Sequence, residues 1–118
     1  MKGLHLTADL YRCRCEPAWL ADAATLQAWC VASVEAVGLP VVDVMFRASE
    51  GIGATLLMPH GHVCLHTSIK ERSVSVDVYV GDADEAQTAK ARGLMFALVN
   101  RFQPEWTEQR SLDRGEEE

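Results

Sequence analysis

Two stretches of strict alternation limit what this chain can fold into. Along residues 4–11, Leu4, Leu6, Ala8 and Leu10 take one parity, while His5, Thr7, Asp9 and Tyr11 take the other. Along residues 73–80, Val74, Val76, Val78 and Val80 alternate with Ser73, Ser75, Asp77 and Tyr79. Side chains two apart on a strand share a face, so each stretch predicts a strand with one apolar and one wet side. A sheet built from such strands needs cover on its apolar side only, which suits an antiparallel sheet under a single helical layer.

The remaining elements fit that frame. Pro17 suits the first turn of a helix, where its missing N–H costs nothing. Leu26, Cys30, Val34 and Val37 then mark one helical face, with Gly38 as the C-cap and Pro40 forbidding continuation. Strands are expected over residues 41–47, 54–58 and 62–67, separated by Gly51-Ile52-Gly53 and by Pro59 and Gly61. The polar turn Lys70-Glu71-Arg72 joins the last of these to the valine strand as a hairpin. Asp82 with Glu85 reads as a capping box, and Leu94, Leu98 and Phe102 carry a second helix as far as Pro104. The order is strand, helix, four strands, helix, with room for a short last strand. It predicts an α+β two-layer sandwich: a mainly antiparallel sheet with two helices on one face. Residues 1–106 form the expected domain, and residues 107–118 a charged, disordered tail.

Composition sets the outer limits on function. A chain of 118 residues is one domain, and 48% apolar residues exclude intrinsic disorder. Eleven Lys and Arg against seventeen Asp and Glu leave a net charge of −6, which argues against nucleic acid as the partner. No apolar run is long enough to span a bilayer. Met1-Lys2-Gly3-Leu4-His5 leads straight into patterned sequence, so the expectation is a cytoplasmic protein without a leader. Cys13, Cys15, Cys30 and Cys64 are accordingly expected as reduced thiols.

The wet sheet face holds the candidate chemistry. His60, His62, Cys64 and His66 share one parity, and three imidazoles with a thiol are potential zinc or copper ligands. Consecutive same-face positions form a row rather than a tetrahedron, however, and a second element such as His5, Asp9 or Asp77 would have to complete the site. Cys64 and His66 could also act as a nucleophile and base, although no orienting carboxylate is visible. Cys13-Arg14-Cys15 is tighter than a redox pair usually is, and Gly51-Ile52-Gly53 lacks the Lys-Ser/Thr of a phosphate loop. Periodicity thus gives a site face without a reaction.

Two motifs go further. Gly3-Leu4-His5-Leu6-Thr7-Ala8-Asp9-Leu10-Tyr11, followed by Cys13, resembles the opening of the bacterial and archaeal S-adenosylmethionine decarboxylases. Gly61-His62-Val63-Cys64-Leu65-His66-Thr67 is similar to their processing segment, and Ser75-Val76-Asp77-Val78-Tyr79 to the strand after it. The resemblance covers about residues 3–102. It implies a two-layer sandwich, usually dimeric, and a step in spermidine synthesis in which the substrate's carboxylate is removed. It also implies a pyruvoyl cofactor, made when a serine hydroxyl attacks the preceding carbonyl and the chain breaks there.

The chain departs from that pattern where the chemistry resides. The pyruvoyl-forming serine aligns with Gly61, and the acidic residue before it with His60. A second processing serine falls at Gly53, the proton-donating cysteine near Gly81, and the ribose-binding glutamate at Lys70, with Glu71 adjacent. The Trp-Pro pair of the turn is Ser68-Ile69 here. His66 is retained. The expectation is a member in which the pyruvoyl group cannot form at Gly61, so that no cofactor and no metal is carried. Lys70, Glu71 and Arg47 are its ligand-binding candidates. Such a chain would act as a homodimer, or as a regulatory partner in a heteromer with an active homologue, or as a sensor of a small nucleoside or amine, with neither nucleic acid nor membrane as partner. The alternatives are an active decarboxylase, alone or with a pyruvoyl group supplied by a partner, and a repurposed His/Cys metal or thiol site.

Overall fold

A computed structural model describes residues 2–115. The chain runs β1 (Lys2–Cys13), α1 (Ala18–Ala21), α2 (Ala23–Ala36), β2 (Asp43–Ala48), β3 (Ile52–Met58), β4 (Gly61–Ser68), β5 (Ser73–Val80), α3 (Glu85–Phe102) and β6 (Pro104–Gly115). One six-stranded sheet has the order β2-β3-β4-β5-β1-β6, with every neighbouring pair antiparallel. The three short-turn hairpins lie together in β2 to β5. The links from β1 to β2 and from β5 to β6 join strands that point the same way, so each must cross over the sheet, and the helices make those crossings.

All three helices lie on the apolar face. Leu4, Leu6, Ala8 and Leu10 of β1 and the four valines of β5 are buried there, against Leu26, Cys30 and Val34 of α2 and Leu94, Leu98 and Phe102 of α3. The opposite face has no layer over it among the described residues and carries the polar parity of every strand. No helix in the described chain is long and apolar enough to cross a membrane.

The α+β sandwich is as expected, with three corrections. The first helix is two: Asp22 adopts extended backbone and caps α2, its carboxylate accepting from the Ala24 and Thr25 amides at 3.1 and 3.3 Å. A short polar side chain thus offers the backbone a better partner than continued helix. The second N-cap is Asp84, which accepts from the Gln87 amide, whereas Asp82 sits in the left-handed region. The charged tail expected from residue 107 is instead part of β6, paired with β1 from Lys2↔Gly115 to Cys13↔Pro104; residues 116–118 lie outside the described chain. Gly38 terminates α2 as expected. Its positive φ allows the Gly38 and Leu39 amides to turn back to the Glu35 and Val34 carbonyls.

Candidate functional site

Register brings part of the expected site together. Arg47 of β2 lies opposite Gly53 of β3, which lies opposite His66 of β4. These positions share the open face, at the end of the β3–β4 hairpin away from its turn. The β2–β3 turn adds Ser49 and Glu50, and the β4–β5 turn adds Lys70 and Glu71. The result is an open cleft of about 630 Å³ that collects Arg47, Gly53, His66, Lys70 and Glu71 from among the residues singled out in the sequence.

Two buried anchors hold its walls. The Thr67 hydroxyl donates to the Leu20 carbonyl at 2.7 Å and accepts from the Ile52 amide at 2.8 Å, tying β4 to α1 and β3. Arg72 donates to the carbonyls of Cys13 and Cys15 at 2.8 and 2.7 Å, while its own carbonyl accepts from the Cys13 amide. The turn that carries Lys70 and Glu71 is therefore fastened to the end of β1. Arg47, Lys70, Glu50 and Glu71 are exposed, and none of them forms an ion pair among the described residues. Both signs of charge are available to a ligand.

At Gly53 a side chain would press on the imidazole, which would have to give slightly, rather than on backbone. A Cβ placed there would lie 3.2 Å from Cε1 and 3.3 Å from Nδ1 of His66. A hydroxyl one bond farther out would be within hydrogen-bond reach of an exposed ring that is free to adjust.

Gly61 does not join this cleft. It precedes His66 by five positions on one strand, roughly 16 Å at 3.3 Å per residue, and has the opposite parity. It lies at a separate crevice of about 240 Å³ with His60, Gly81, Asp82 and Asp84. The single cluster implied by the resemblance is thus two half-sites at opposite ends of the hairpin. Odd spacing on a strand was the signal that could have revealed it. At Gly61 the space for a side chain is filled: a Cβ would run into the Tyr79 carbonyl oxygen and stand 3.1 Å from the Val80 Cα. The neighbour is backbone held by the β4–β5 ladder, so it cannot swing aside.

The His60-His62-Cys64-His66 row does not converge. Among the described residues no group of three or more His, Cys, Asp or Glu side chains is placed to hold a metal ion. His62 instead packs on the Tyr79 ring with centroids 5.5 Å apart, and the Cys64 Sγ lies 3.6 Å from the Thr55 hydroxyl. The other thiols lie within the core. Burial pushes Cys30 up to about 12 and Cys13 up to about 11, where a thiolate is scarce at neutral pH.

The family model for S-adenosylmethionine decarboxylase matches residues 4–115. Comparison with curated proteins finds no significant match. Among solved structures, the chain resembles the adenosylmethionine decarboxylase from Aquifex aeolicus VF5, with a TM-score of 0.82 and 24% identity over 98% of this chain and 92% of that one. At that identity the likeness speaks to the fold.

Proposed function

The chain belongs to the S-adenosylmethionine decarboxylase family, and from that premise we propose that it is a member that neither cleaves itself nor decarboxylates, and that it works by binding. The observation that carries this reading is Gly61. Pyruvoyl formation needs a hydroxyl at the cut point, and this position has none and no room for one beside the Tyr79 carbonyl. The residues present do not fit a pyruvoyl group.

The two half-sites favour one version of the reading, in which the chain is a partner subunit. Since Gly61 and His66 cannot meet within one chain, a site that uses both positions needs two chains. In a homodimer every such site would lack the serine. Beside a serine-bearing homologue, this chain would offer His66, Arg47 and the Lys70-Glu71 turn to the homologue's half-site. A nucleoside or amine remains the ligand class for the cleft, with Arg47 and Lys70 suited to anionic or hydroxyl groups and Glu50 and Glu71 to an amine.

The test is carbon dioxide release from carboxyl-labelled S-adenosylmethionine, measured for this chain alone, for a serine-bearing homologue alone and for the two co-expressed. We expect no release by this chain alone and a several-fold change in the homologue's rate on co-expression. Release by the purified chain alone would overturn the reading. A thermal-shift series with S-adenosylmethionine, its decarboxylated form and spermidine separates the sensor version, because a ligand that binds only the native state raises the melting temperature.

A further inference from the structure

The helical side of the molecule has a groove of its own. It runs between α3 and β6, has a volume of about 440 Å³, and rests on Leu6, Met95 and Val99. That volume falls within the roughly 300–1,000 Å³ of small-molecule sites. Its walls follow from two periodicities. Arg92, Phe96 and Asn100 stand four apart on α3, so they form one line with a rise of about 6 Å from each to the next. Gln109 and Ser111 share the helix-side parity of β6 and border the groove from the sheet.

The polar side chains of these walls are not committed elsewhere. Arg92, Asn100, Gln109 and Ser111 form no side-chain hydrogen bond or ion pair among the described residues. Arg110 also borders the groove, but its guanidinium is held on the open face, 3.7 Å from Asp9 and 3.9 Å from Glu108. The chain carries a net charge of −6, yet no Asp or Glu among the described residues lines this groove. Arg92 is thus a cation without a carboxylate to offset it. Phe96 is 70% exposed, while Leu94, Met95 and Leu98 close the core beneath it, so the packing is complete without its ring.

We propose that the α3–β6 groove binds a nucleoside monophosphate. An exposed phenyl ring is a stacking surface for a base. Asn100 and Gln109 each carry a donor beside an acceptor, the pair that matches the N6/N7 edge of adenine. The Arg92 guanidinium takes the phosphate as a planar fork, and the missing carboxylates let the anion approach. A fatty acid would use the apolar floor and Arg92 but leave both carboxamides without partners. A nucleic-acid strand would meet the acidic remainder of the surface, which a single nucleotide does not. The groove lies across the sheet from the Arg47–His66 cleft, so the proposal stands whatever that cleft binds.

Equilibrium dialysis with labelled AMP tests it on the wild-type chain, Arg92→Gln and Phe96→Ala, with circular dichroism melts to confirm folding; both positions are exposed. We expect saturable binding of a single AMP per chain. Arg92→Gln should weaken it at least about tenfold, because charge-assisted bonds are the strong ones. Phe96→Ala should weaken it about fivefold or more, through lost stacking. Adenosine and inorganic phosphate, added separately, should each compete far less well than unlabelled AMP. In a ¹H–¹⁵N spectrum, AMP should shift the amides of residues 92–100 and 109–111 and leave those of residues 47–53 and 66–71 in place. Absence of saturable binding, folded variants that bind as the wild type does, phosphate competing as well as AMP, or shifts centred on the cleft would each overturn the proposal.

Discussion

The glycines at the two ends of the β3–β4 hairpin differ in what a side chain there would meet. At the open end, a Cβ at Gly53 would press only on the exposed His66 ring, a side chain that can shift to admit it. At the turn end, the place for a side chain at Gly61 is taken by the backbone of β5. Both positions align with serines in the resemblance from which the reading began. A side chain can be introduced at small cost where only a movable ring must yield, and not where strand backbone occupies the place. On the proposed reading, the open end is where a ligand could bind, and the closed end is why no self-cleavage is expected.

Substitutions can break this contrast. Gly61→Ser should be the most damaging, since strand backbone must shift to admit the Cβ. We expect a loss of about 3 kcal/mol in a denaturant titration, at the upper end of ordinary overpacking. A variant that stayed as stable as the parent and cut itself would end the distinction. Thr67→Val should cost about 2 kcal/mol, because it leaves the Leu20 carbonyl and Ile52 amide buried without partners. An unchanged midpoint would mean that the cleft wall is not fastened there.

One further substitution and a thiol count sharpen the contrast rather than break it. Gly53→Ser should change stability by no more than about 0.5 kcal/mol, as a surface substitution does, while shifting the His66 ring resonances in a ¹H–¹⁵N spectrum. A cost comparable with that of Gly61→Ser would show that both ends are closed. Smallest in energy is a thiol count. In native protein at mildly alkaline pH, one cysteine per chain, Cys64 on the open face, should react readily with a disulfide reagent. Cys13, Cys15 and Cys30 should stay silent, because burial both shields them and raises their pKa values. A second fast thiol would place one of these outside the packed layer.

Sequence patterning located the strong elements and missed the weak ones for identifiable reasons. β1 and β5 were legible because one complete parity of each packs under the helices, so alternation is uninterrupted. β6 was not, because an edge strand has one neighbour and its helix-side residues Gln109 and Ser111 border a groove rather than the core. With so little apolar contact to make, its composition reads as a solvated tail. The break at Asp22 left a readable trace, an acidic cap three residues before Thr25, which the hydrophobic period of the surrounding helix concealed. In the site, Arg47, His66, Lys70 and Glu71 were singled out separately, and the structure places them along one cleft. Their separation from Gly61 and Gly81 follows from parity, a property of the pattern itself. What no pattern could carry is the closure at Gly61, since it depends on how nearly β5 approaches β4 in three dimensions.

The central claim is that the polypeptide stays whole. Intact mass spectrometry of freshly purified, untagged protein measures this most directly. The account predicts a single species at the 13.0 kDa of the full chain, unchanged on prolonged incubation. Two fragments divided immediately before Gly61, the second bearing a carbonyl-reactive blocked terminus, would contradict it.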